Sequence, residues 1–170
     1  MNEINNNFIR KQTVKRLAVI ILTVLLAALA AAIFINHKPD SPFPDYITKN
    51  SSIRLYYPVD LPRNFTINKD FKMIQKDHLL YSISSTNGNN FFINLEPVPP
   101  NFSFEQFKKN FLSPDEYTTR VGRTVAGAAG SGLVAGTLTS HGVLILINTP
   151  SPDSLDDIKT ISHSLDYVGN

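Results

Sequence analysis

The side chains that titrate near neutrality are four histidines, His37, His78, His141 and His163, and they are scattered along the chain. No His-Glu-x-x-His or comparable ligand spacing joins any two of them. His141 falls in Thr139-Ser140-His141-Gly142, a turn sequence in which a solvated ring is expected. His163 lies toward the end of a predicted helix, where its charged form complements the helix dipole. The run Gly127-Ala128-Ala129-Gly130-Ser131-Gly132 has the small residues of a phosphate-binding loop. It lacks the Lys-Ser/Thr that would follow, does not fit Gly-x-Gly-x-x-Gly, and precedes a predicted strand instead of a helix. Ser131 also lacks the glycines that flank a nucleophile elbow. The carboxylates Asp60, Asp70, Asp77, Glu96, Asp115 and Glu116 fall on predicted loops and strand ends. A hydrolytic reading would rest on a pair such as Asp60 and Glu96, but no spacing selects one. With no cysteine in the chain, thiol chemistry, cysteine metal sites and disulfides are excluded. No catalytic residue, metal ligand or cofactor is therefore assigned.

What positions the rest is the run from Leu17 to Ile35, which has no charge, proline or glycine. About 19 residues of helix span roughly 28 Å, close to the hydrocarbon thickness of a bilayer. A transmembrane helix over 17–36 is predicted. Arg10, Lys11, Lys15 and Arg16 precede it, and few basic residues follow, so they act as topology determinants. They place 1–16 in the cytoplasm and the carboxyl-terminal part outside the cell membrane. A cleaved signal peptide is the competing reading, since Ala28-Leu29-Ala30 fits a cleavage site. The apolar run continues past those alanines to Ile33-Phe34-Ile35, which favours an anchor. Of 16 Lys and Arg, four precede the anchor, whereas only Glu3 of the 14 acidic residues does. The outer part is thus close to neutral, its 12 basic residues facing 13 acidic ones. The overall basicity is not a nucleic-acid signal.

Beyond the anchor, 37–52 reads as a Pro-rich linker, with Pro39, Pro42 and Pro44, and 53–170 as one α+β domain. Asn87-Gly88 between Leu79–Ser85 and Phe91–Val98 marks a β-hairpin. A three-strand meander is expected over about 123–129, 132–139 and 143–148. Phe104, Phe107 and Phe111 form a helical stripe after a Ser103/Gln106 capping pair. Leu155, Ile158, Ile161 and Leu165 form a second stripe. The expected fold is a curved antiparallel sheet of about six to eight strands, covered on one face by these two helices. Tyr56, Tyr57 and Phe92 are the candidate contact residues, with the small residues 126–136 lining any apolar cavity.

Pro42-x-Pro44, Tyr57-Pro58-x-x-Leu61-Pro62, Thr119-x-x-Gly122 and Leu144-Ile145-Leu146-Ile147-Asn148-Thr149-Pro150 also carry a resemblance. Over Pro42 to Leu165 the chain resembles uncharacterised single-pass, membrane-anchored ectodomain proteins of candidate-phylum, Saccharibacteria-type bacteria. The resemblance implies architecture and a bacterial cell-envelope location, and no activity. The expected function is a non-enzymatic binding or structural module, integral to the membrane by one span, with an envelope protein or lipid as partner. An apolar-ligand or lipid carrier and an envelope hydrolase are the alternatives.

Overall fold

The computed structural model describes residues 41–168 except Ser131 and Asp153. The predicted span over 17–36, its flanking Arg10, Lys11, Lys15 and Arg16, and His37 lie outside the described residues. Among the described residues no helix is long and apolar enough to cross a membrane.

Seven antiparallel strands form the main sheet, in the order β2-β3-β4-β8-β7-β6-β5. They are β2 (Phe65–Ile74), β3 (His78–Ser85), β4 (Asn90–Pro97), β5 (Leu112–Thr118), β6 (Gly122–Ala129), β7 (Gly132–Thr139) and β8 (Val143–Thr149). Apolar residues alternate along β3 and β4, so one face of each strand is buried and the other open. The β3–β4 hairpin closes where expected, with Gly88 at φ +85°. The meander β6-β7-β8 also falls where the turn residues place it. The β2–β3 turn has no glycine, and Gln75 and Lys76 both take positive φ.

Helix α3 (Leu155–Ser164) follows β8 and lies over β6, β7 and β8. Its Ile158 and Ile161 pack into the main core with Leu79, Ile83, Ile93, Leu95, Ile145 and Ile147. Ala126 and Ala135, on the same face of β6 and β7, are small enough to let the helix come close. Ser154, at the helix start, accepts a hydrogen bond from the Asn89 amide at 2.8 Å. After α3, the short strand β9 (Leu165–Tyr167) pairs with β1 (Tyr56–Pro58) as a separate two-stranded ribbon.

The second predicted helix is shorter and sits on the opposite face. Helix α2 (Phe104–Lys108) starts at Ser103, whose Oγ accepts from the Gln106 backbone N–H at 3.4 Å. Phe111 lies beyond its end but keeps its place in the aromatic stripe. Phe104, Phe107 and Phe111 pack on Val125, Val134 and Leu138. These strand positions alternate with Ala126, Ala135 and Thr137, which face α3. The two helices therefore sandwich the β6–β7 part of the sheet instead of sharing one face. Arg123 fastens α2 down, since it pairs with Glu105 and Glu116 and lies 4.3 Å above the Phe104 ring.

The stretch expected to be a linker, 37–52, is domain from Phe43 onward. Phe43 and Ile47 are buried in the main core. Phe43 meets Tyr57, Phe71 and Tyr81 edge-on at 5.1–6.0 Å. Pro44 opens the one-turn helix α1 (Asp45–Thr48), and the Tyr46 hydroxyl donates to the Phe71 carbonyl at 3.0 Å. An aromatic residue between two prolines is a fixed plug, because the prolines restrict the backbone on either side of it.

Candidate functional site

Among the described residues, those with reactive side chains are not gathered into one site. His78 opens β3, an inner strand, with Asp77 Oδ1 2.7 Å from Nδ1 and Glu96 Oε2 3.9 Å from Nε2. His141 is in the β7–β8 turn, 3.0 Å from Ser140 Oγ. His163 stacks on Tyr117, with ring centroids 5.2 Å apart. Among the described residues no three His, Asp or Glu side chains are grouped to hold a metal ion. Asp60 pairs with Arg120 at 2.9 Å, while Glu96 accepts from the Asn94 amide at 2.6 Å on a different element. Asp115 pairs with Lys159, and Glu116 with Arg123 and Lys108. Each of these contacts is a surface ion pair or hydrogen bond, and the two carboxylates of the hydrolytic reading have separate partners.

The glycine-rich run forms the β6–β7 hairpin, with Gly130 at φ +62°. Gly127 lies under Phe111 and Gly136 under Phe107. Ala126 and Ala135 lie under α3. Gly127 and Gly136 on one face and Ala126 and Ala135 on the other therefore admit covering side chains, while Ala129 and Gly132, at the hairpin end, line an open depression beside Phe92.

Of the three aromatic contact candidates, only Phe92 is presented to solvent. Tyr56 is 2 % exposed, part of the main core, and its backbone carbonyl accepts from the buried Tyr81 hydroxyl at 3.1 Å. It offers no contact surface, because the β1–β9 ribbon folds it inward. Tyr57 is half-buried, stacked on Tyr81 and meeting Phe43 edge-on. Burial pushes its phenol pKa up. Phe92 is 50 % exposed, on the face of β4 turned away from α3.

The register sets Phe92 in a row that crosses the sheet. Asn68 pairs with Ser82, Ser82 with Phe92, Phe92 with Asn148, and Asn148 with Val134. Neighbouring strands are about 4.8 Å apart, so the ring is flanked at that distance by a hydroxyl and an amide. The polar groups beside it are ordered. Asn68 Nδ2 donates to Ser82 Oγ at 2.9 Å and to Ser84 Oγ at 3.1 Å, and Ser84 Oγ donates to Asn90 Oδ1 at 2.7 Å. Two open depressions share Phe92. One, of about 230 Å³, has Asp70, Lys72, Leu80 and Ser82 around it. The other, of about 360 Å³, has Ala129, Gly132, Val134, Asn148, Thr149 and Pro150. The charged pair at the rim, Asp70 and Lys72, is separated by 3.6 Å and cancels.

Sequence reasoning found Phe92 and missed Asn68, Ser82 and Asn148. For Ser82 the signal was the strand alternation itself, whereas on β8 Asn148 shares its face with Leu144 and Leu146 and no alternation marks it. It became readable only with the strand order, because β8 follows β4 in space but not in sequence. No family model matches the chain, and no curated protein matches it.

Proposed function

We propose that this chain is a membrane-anchored, extracytoplasmic binding module, non-enzymatic, whose contact surface is the open sheet face around Phe92. The observation that carries the reading is the asymmetry of the sheet. One face is sealed by α3, and the other is roofed by the Phe104–Phe111 segment over β6 and β7. Over β3, β4 and β8 a large aromatic ring stands half-exposed between two depressions. Single exposed apolar side chains are ordinary, and Leu112 is more exposed than Phe92, so what distinguishes Phe92 is its place between two depressions on the uncovered face. The apolar run 17–35 with its preceding basic residues supports tethering, and so does the resemblance to single-pass envelope proteins.

Two measurements test the reading. Protease added to intact cells should remove a carboxyl-terminal tag and leave an amino-terminal one protected; the reverse pattern would overturn the topology. A photo-reactive side chain at position 92 should yield a discrete cross-linked species in the envelope that one at exposed Lys109 does not. Equal background from both positions would remove this face from consideration.

A further inference from the structure

We infer that the Phe92 row is a subsite for a neutral, hydroxyl-rich oligosaccharide, an inference that rests on the binding-module reading. A pyranose ring has a flat C–H face that packs on the electron-rich face of an aromatic ring. Its hydroxyls project around the rim and need donors and acceptors at the side. Phe92 supplies the apolar platform and no polar atom. Ser82 on one side and Asn148 on the other supply a hydroxyl and an amide one strand away. Asn148 is exposed and, among the described residues, its side chain makes no hydrogen bond, so both amide valences face solvent. Asn68 uses its two donors within the protein and keeps Oδ1 as an acceptor. Asn90 accepts from Ser84 and keeps its amide donors.

The charge of the face selects among ligands. Its nearest charged groups, Asp70 and Lys72, neutralise each other at the rim of one depression. Among the described residues lining the two depressions, Lys72 is the cation available to an acidic polymer or a nucleic-acid phosphate, and Asp70 offsets it. A protein hot spot would be expected to gather Trp, Tyr or Arg in a dry centre, whereas here a single ring stands among aliphatic side chains such as Leu80 and Val134 interspersed with the uncharged polar groups of Ser82 and Asn148. The two depressions extend to either side of Phe92, so an oligomer, with one residue on the ring and neighbours in the depressions, fits better than a monosaccharide.

The test uses the full chain in nanodiscs, titrated with hexamers of β-1,4-linked N-acetylglucosamine, glucose and mannose, and with a galacturonate hexamer as the acidic comparison. At least one neutral hexamer should bind saturably below about 10 mM, more tightly than the acidic one. Phe92→Ala should weaken it about tenfold, as the loss of one stacking contact predicts, and Phe92→Trp should keep or improve it. Asn148→Ala is a second, independent variant on an exposed side chain, and should weaken binding several-fold. No saturable binding to any neutral hexamer would overturn the inference, as would binding that Phe92→Ala leaves unchanged or that the acidic hexamer equals. If position 92 cross-links to a protein or to a second copy of the chain while no hexamer binds, the sugar subsite falls and the binding face stands.

Discussion

The ring of Phe107 fills the space that a Cβ on Gly136 would need. This contact joins the α2 segment to the middle of β7, and it explains a glycine in a buried strand, where the residue otherwise weakens a sheet. Gly136→Ala is therefore expected to force Phe107 off the sheet and cost about 1–3 kcal/mol, the range for overpacking. Phe107→Ala should itself destabilise, because a half-buried ring is lost. The double variant should lose less than the two single losses combined, since alanine at 136 then meets no ring. Urea midpoints at unchanged slope read all three; strict additivity would show that the contact is not the cause.

Thr124 and Thr137 face each other across β6 and β7 with their hydroxyls 2.8 Å apart, both fully buried under α3. Thr124→Val removes one partner and leaves the other hydroxyl unsatisfied, at a cost of about 1–3 kcal/mol. Valine at both positions removes the polar pair together and should recover most of that loss. A double variant as unstable as the sum of the singles would mean that shape, not hydrogen bonding, governs the site.

Phe43 makes the domain start earlier than its composition suggests. Phe43→Ala should cost about 3–5 kcal/mol, as for other buried rings cut to alanine. A chain trimmed to begin at residue 53 would lose both Phe43 and Ile47 from the core and should unfold at lower urea than one beginning at 41. Equal midpoints would return 41–52 to the status of a tether.

That segment shows where the sequence was readable and where it was not. Proline spacing keeps Phe43 itself out of helix and sheet, with a helix starting just after Pro44, but it says nothing about docking, and a short aromatic segment between prolines reads alike free or bound. The β3–β4 hairpin was legible because Asn87-Gly88 supplies the positive φ that its turn needs. The β2–β3 hairpin was not, because Gln75 and Lys76 take positive φ without any residue that favours it. The Phe104 stripe marked a buried surface but not which face it covers. Strands β6 and β7 carry small or apolar residues on both sides, so their alternation does not separate the faces. The pairing of β1 with β9 depends on three-residue strands that are far apart in sequence. The Phe92 row was half visible for the same reason, since Asn148 reaches it only through the β4–β8 pairing.

The β2–β3 turn carries its own prediction. Two successive non-glycine residues at φ +53° and +66° are held in a region that costs L-residues roughly 1–2 kcal/mol each. Replacing Gln75-Lys76 with Asn-Gly should raise stability by about 1 kcal/mol, after the extra backbone entropy of glycine is offset. The Ser52 contacts to the carbonyl of residue 76 involve backbone on that side and should survive. A lowered melting temperature would show that the Lys76 side chain contributes more than its backbone costs.

Glu116 gives the fold an acid-sensitive fastening. Its carboxylate accepts from Arg123 and then from Lys108 at 2.7 Å, and these cations hold its pKa down from 4.5 to about 2. The folded state thus binds fewer protons at this group than the unfolded chain does below the ordinary value. The stabilisation is present above about pH 4.5 and is lost as the pH falls toward about 2. Because the group is open to solvent, the effect is screened, and salt should shrink it. Glu116→Gln should have a urea midpoint slightly below the parent at neutral pH and converge on it as the pH falls through that window. Curves that stay parallel down to about pH 2 would mean that the carboxylate's pairing contributes nothing to holding α2 and β5 against β6.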